Sequence, residues 1–186
     1  MAVLCPTLGD PDAAPALPSA FQIRSAKPGD VPMLMVLKQK MLIEEGVPTG
    51  LQGTVLDWLL QGFGPTPSYT AHVAEHDGQV IGIVIFNERR IAGWTRPSIY
   101  VQDLYVEPEH RRRGLGRALL AGVAGAARDR GAAYVELNVR DENPARQLYH
   151  RTGFEMVPHC LVYVLGGQAL LDFANSAAEL LMLAGM

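Results

Sequence analysis

Seven consecutive residues, Arg111-Arg112-Arg113-Gly114-Leu115-Gly116-Arg117, bring four guanidinium groups and two glycines together. Such a stretch suits a phosphate-bearing ligand, because guanidinium attracts phosphate and glycine lets a ligand approach the backbone closely. Just upstream, Gln102 and Asp103 place an amide and a carboxylate on the segment that leads into this turn. Asp103 can orient an amine or a water, or simply hydrogen-bond to a neighbour, whereas Gln102 cannot act as a base. Downstream, Tyr149 carries a phenol of ordinary pKa near ~10, able to donate a proton to a stronger base. It also reads as an amphipathic ring packed at a helix end. Glu44 and Glu45 form an acidic pair where a helix should stop, and acids there oppose the helix dipole.

The elements that must hold these groups follow from local patterning. Val101, Leu104, Tyr105 and Val106 predict a strand, which Pro108 ends because it has no N–H to give to a ladder. Arg111 to Gly116 predict a turn, and helical spacing starts at Arg117 and runs to Arg130 with Gly131 closing it. The order strand, basic Gly-rich turn, helix builds an anion site: a helix start leaves about four N–H groups unpartnered, and its dipole favours negative charge. No Lys follows the turn as a P-loop requires, and Ala118 and Leu119 break a dinucleotide fingerprint.

The rest of the chain is read in the same way. Residues 1–20, with Pro6, Pro11, Pro15 and Pro18, predict a disordered or loosely docked arm, and residues 21–186 one domain. A first strand is expected at Phe21–Arg24. A helix follows, capped by Asp30, bearing Leu34, Leu37 and Met41 and ended by Gly46. Thr54-x-x-Asp57 is a capping-box start for a second helix that ends near Gly62. Strands at 69–75 and 79–86 meet at Asp77-Gly78, a hairpin signal. Strands at 99–106 and 134–139 and a helix opened by Asn143-Pro144 come next. Residues 154–157 and 161–165 read as extended, and 168–182 as a terminal helix with Leu171, Ala174, Ala178 and Leu181 on one side. Alternation along a strand puts Gln102 with Leu104 on one face and Asp103 with Tyr105 on the other.

Arg111-Arg-Arg-Gly114-Leu-Gly116 resembles the acetyl-CoA loop of the GNAT superfamily of N-acetyltransferases, whose signature is Arg/Gln-x-x-Gly-x-Gly/Ala. Asn143-Pro-Ala-Arg-Gln-Leu-Tyr149-His-Arg-Thr-Gly-Phe154 resembles a second segment of that family. The predicted element order from 21 to 165 is similar to the family's fold, an α/β (α+β) arrangement with a mixed, mostly antiparallel central sheet flanked by helices. Asp57-Trp-Leu-Leu-Gln-Gly-Phe-Gly64 and Tyr100-Val-Gln-Asp-Leu-Tyr-Val106 look like the diamine (spermidine/spermine-type) group within it.

The resemblance implies an N-acetyltransferase that joins a primary amine directly to the thioester of acetyl-CoA in a ternary complex. It implies that the Leu104 N–H stabilises the thioester oxygen and that Tyr149 protonates the departing thiolate. It implies a cofactor site along Leu104, Tyr105, Val106, Arg111, Arg112, Arg113, Gly114, Leu115, Gly116 and Arg117, with Asn143, Arg146 and Tyr149. Asn143 also stands as a plain helix cap. Glu44, Glu45, Gln102 and Asp103 would meet the acceptor, with Trp58 and Trp94 as further pocket candidates. The acceptor class implied is a diamine, polyamine or amino-acid-like amine; diamine acetyltransferases carry Glu-Asp where this chain has Gln102-Asp103, which argues against spermidine and spermine and for a singly charged or amino-acid-like amine. A protein or peptide acceptor and a non-catalytic CoA-binding module are the rival classes. A homodimer is also implied, with the apolar last helix as part of its interface.

Composition narrows the field. The chain has 186 residues, 48% of them hydrophobic, and a net charge of -3, unlike a dedicated nucleic-acid binder. Cys5 and Cys160 are too few for a disulfide scaffold. No uninterrupted apolar run reaches the ~18 residues of a membrane span, and the cytoplasm is the expected location. His72 and His76 are four apart, but on a strand that is ~13 Å, too far for one metal ion. No Gly-x-Ser-x-Gly elbow is present.

Overall fold

The computed structural model describes residues 20–47, 50–158, 160, 162–165 and 167–174. The chain divides into two compact units, one ending at Phe154 and the other beginning at Glu155. The expected N-terminal arm lies outside the described residues, except for Ala20.

The first unit is a five-stranded sheet in the order β1 (Phe21–Ser25), β2 (Thr70–His76), β3 (Gln79–Arg89), β4 (Ser98–Val106), β5 (Val135–Leu137). Neighbours are antiparallel except β4 and β5, which are parallel. Alternation along the strands feeds two cores. Ile83, Ile85 and Tyr105 pack with Val31, Leu34, Leu37 and Met41 of α1 (Val31–Glu44) on one face. Val84, Phe86, Val101 and Val106 pack with Leu115, Leu119 and Val123 of α3 (Leu115–Asp129) on the other. Leu34 and Leu37 are fully buried, and each such side chain contributes roughly 1.5–3 kcal/mol by leaving water.

Local signals behave as expected at several joints. The β2–β3 hairpin turns at Asp77 and Gly78 with φ of 48° and 77°, the left-handed pair that this turn type needs. α2 (Val55–Phe63) opens on the capping box: Asp57 N–H donates to Thr54 Oγ1 at 3.2 Å, and Thr54 N–H to Asp57 Oδ2 at 2.7 Å. At α4 (Arg146–Arg151) the signal is displaced: Asn143 Oδ1 accepts from Ala145 N–H at 2.8 Å in the turn ahead of the helix, but the helix is capped at Ala145 and begins two residues after the expected Pro144.

Other expectations fail. Asp30 does not cap α1 with its side chain. Its carboxylate accepts instead from Lys27 N–H at 2.7 Å and from Arg24 at 2.7 and 3.0 Å, because an arginine on β1 is a stronger partner than a helix N–H. The α3 helix starts at Leu115 rather than Arg117, since Gly114 at φ 85° already turns the chain into it. Residues 154–157 and 162–165 form no strand, and the expected strand at 134–139 shortens to β5. In the second unit residues 167–174 are helical, and the remainder of the expected helix lies outside the described residues. Among the described residues no helix is long and apolar enough to cross a membrane.

Candidate active site

The site is built where β4 changes partners. Across β3 and β4, Ile85 faces Asp103 and Phe86 faces Val101, leaving Gln102 as an extra residue. A bulge of this kind disrupts alternation. Gln102 and Asp103 therefore line one cleft together, with Lys38 of α1 and Trp58 of α2. The expectation of opposite faces is overturned, because the rule of alternation holds only where the pairing is regular.

The same bulge resets the backbone. N–H and C=O of one residue point to the same side of a strand, and successive residues alternate. At the start of β4, Ile99 N–H bonds Tyr134 O at 3.0 Å, on the β5 side. Just past its end, Glu107 N–H bonds Ile81 O at 2.9 Å, on the β3 side. Odd-numbered residues thus change sides, and Gln102 is where they change. Counting back from Glu107, Val106 and Leu104 turn away from β3. In keeping with this, Val106 O accepts from Arg111 Nε at 2.8 Å. β5 pairs with β4 only as far as Val101. The Leu104 N–H is thereby aimed at an edge beyond the reach of β5.

The basic turn combines strain with order. Arg112 and Gly114 both have positive φ, 61° and 85°. Gly114 carries this without cost; a side chain there would be strained. Ala118 N–H bonds Gly114 O at 3.0 Å, so the α-helical ladder begins at Ala118 and the backbone from Leu115 forms the turn that precedes it. Arg112 and Arg113 are exposed. Gly116 has a packing role as well: a Cβ there would lie 3.0 Å from Leu148 Cδ2 of α4.

Arg111 is positioned differently from its neighbours. Its guanidinium takes the Glu44 carboxylate at 2.7 and 2.6 Å and lies 5.3 Å from the centre of the Tyr105 ring. The Arg111 hydrogen bond holds the Glu44 carboxyl below its usual range. Glu44 thus faces the turn rather than the cleft. Glu45 is exposed, and its backbone oxygen accepts from Arg140 at 3.1 Å.

Tyr149 sits in α4, half-buried, its ring 5.8 Å from that of Phe154. It packs against the same apolar cluster as Leu104. Burial first, and the Glu45 charge second, push its phenol up, so it stays protonated at neutral pH. Asn143 and Arg146 line a separate concavity of about 330 Å³, with Arg146 donating to Asp141 O at 2.8 Å.

Trp94 does not join the cleft; it is an exposed residue stacked edge-on with Tyr134 at 6.1 Å. Lys38, Gln61 and Tyr69 line the cleft and were missed by sequence reasoning. A signal for Lys38 was present: it stands four residues after Leu34 and three before Met41, on the buried stripe of α1.

Residues 40–154 match the profile of the Acetyltransferase (GNAT) family. The chain belongs to the GNAT family. It is an acetyl-CoA-dependent N-acetyltransferase, and its mixed sheet flanked by helices is the GNAT fold. A thialysine N-epsilon-acetyltransferase of Bos taurus is 29% identical over 169 residues, covering 82% of this chain and 96% of that protein. A spermidine/spermine N(1)-acetyltransferase-like protein 1 of Homo sapiens is 28% identical over 107 residues, 54% of this chain and 15% of that protein. Among solved structures, an integron cassette protein from the mobile metagenome of V. cholerae superposes with a TM-score of 0.70 at 17% identity, covering 84% of this chain and 99% of that one.

Proposed function

We propose that this GNAT enzyme acetylates the primary amine of a small molecule by direct attack on acetyl-CoA within a ternary complex. The carrying observation is the phase change at Gln102, which turns the Leu104 N–H toward the open edge of β4. A thioester laid along that edge would have its carbonyl oxygen polarised there, where a fixed donor is worth most as charge develops. The turn from Arg112 to Arg117, at the N-terminus of α3, would hold the pyrophosphate. The amine nitrogen attacks the thioester carbon, the C–S bond breaks, and Tyr149 gives its proton to the thiolate. The nitrogen's own proton leaves to water or to a carboxylate. Relatives named for thialysine and for spermidine/spermine support an amine acceptor.

A panel of amines offered with acetyl-CoA, following free thiol, tests this reading. Turnover with at least one small amine is expected. Acetylation of protein lysines alone, with none of the small amines, would overturn it. We also take the enzyme to be a homodimer, as its resemblance to the diamine acetyltransferase group implies. Light scattering reads that mass directly.

A further inference from the structure

The Lys38 ammonium, on α1, donates to Asp103 Oδ1, on β4, inside the cleft. The Asp103 side chain is only 7% exposed and that of Lys38 20%. A carboxylate so buried needs a compensating partner, and the chain supplies it from within. The other polar lining groups, Trp58, Gln61, Tyr69 and Gln102, carry no charge. One positive and one negative group leave the cleft formally neutral. Glu44, the acid nearest in sequence to α1's end, is occupied by Arg111 outside the lining.

This arrangement treats charged acceptors unequally. The difference lies in access: Asp103, already paired and 7% exposed, is less accessible than the Lys38 ammonium, 20% exposed, so a diamine or polyamine meets first a group of its own sign. A carboxylate meets an ammonium that has three N–H donors, one of them directed to Asp103. The Gln61 and Gln102 amides add neutral donors and acceptors beside it.

We propose that Lys38 determines acceptor choice: the cleft takes an amine that also bears a carboxylate, an amino-acid-like acceptor, with Lys38 holding the carboxylate. The proposal rests on the acetyl-transfer reading above. Lys38 binds and selects; the proton transfers stay with other groups.

Lysine and cadaverine test it, because they share a chain and a terminal amine and differ by the carboxylate. Wild-type enzyme should show kcat/KM at least about tenfold higher for lysine, as one charge-assisted contact implies. Lys38→Met should remove that preference, chiefly through KM for lysine, and raise kcat/KM for cadaverine by freeing Asp103. Lys38→Arg should restore much of the lysine preference. Should Lys38→Met fold poorly with Asp103 left unpaired, Lys38→Met/Asp103→Asn removes both charges and should lose the lysine preference without gaining cadaverine. Melting-temperature shifts with each ligand in the presence of CoA read the same selection without turnover. A wild-type protein that binds lysine in preference to cadaverine yet acetylates neither would refute the reaction and leave Lys38's role standing. Cadaverine preferred by wild type, or a ratio unchanged in the folded variants, would overturn the role of Lys38.

Discussion

The Glu44 carboxylate clasps the Arg111 guanidinium through both oxygens, at 2.7 and 2.6 Å. With the bond from Arg111 Nε to Val106 O at 2.8 Å, this ties the end of α1 to the end of β4 and to the start of the basic turn. Arg111 thus shapes the turn, whereas Arg112 and Arg113 stand exposed. Glu44→Gln and Arg111→Ala should each weaken acetyl-CoA binding several-fold, and the double variant should be little worse than Arg111→Ala, since both remove one strut. Calorimetric titration with CoA decides it. A loss with Arg111→Ala alone would make Arg111 a direct phosphate ligand instead.

The turn depends on a residue with no side chain at 114. At φ 85°, Gly114→Ala carries a strain of ~1–2 kcal/mol, and Gly114→Asp adds a negative charge at the helix N-terminus. Calorimetry should show weaker CoA binding for Gly114→Ala and none detectable for Gly114→Asp, with far-UV circular dichroism confirming the fold. Unchanged affinity in a folded Gly114→Asp protein would remove the turn from the cofactor site.

Tyr149 offers a protonated phenol beside the apolar cluster that also contains Leu104. Tyr149→Phe keeps the ring and its contact with Phe154. Loss of a general acid costs ~10²–10⁴ in rate, and a thiolate, already a fair leaving group, places the expectation at the low end. The loss should fall on kcat with little change in KM for acetyl-CoA, because the proton moves only in the transition state. A kcat within about twofold of wild type would make Tyr149 a packing residue.

His72 gives the fold a pH dependence that can be isolated. It stacks edge-on to Phe86 at 5.1 Å, and a Cβ added at Gly122 of α3 would come within 2.8 Å of its Nδ1. Burial, and then the Arg130 charge, hold its pKa below the ordinary 6.5. The unfolded chain takes up a proton near pH 6.5 while the folded one does not. Stability from this group is therefore complete above pH 6.5 and declines below it, until the folded ring itself titrates. Melting curves of wild type and His72→Gln at pH 7.5 and 5.5 should show a larger fall for wild type. An equal fall would assign the acid sensitivity to other groups.

What was legible in the sequence was local. The Asp77-Gly78 hairpin, the Thr54–Asp57 box and the apolar stripe of α1 each depend on residues within a turn of one another, so a short window contains the whole cause. The family pattern in the basic turn and around Tyr149 is of the same kind. Extended propensity is weaker evidence, because a strand is completed by its neighbour; residues 162–165 look like a strand and pair with nothing among the described residues. The cleft itself was decided by distant contacts. Gln102 joins Asp103 on one face only because β3 pairs with β4 out of step at that point. Asp103 loses its free charge to Lys38 across 65 residues of sequence, and Glu44 turns to Arg111 across 67. Which carboxylate meets a cation is settled by which elements the fold packs together, and no spacing along the chain encodes that.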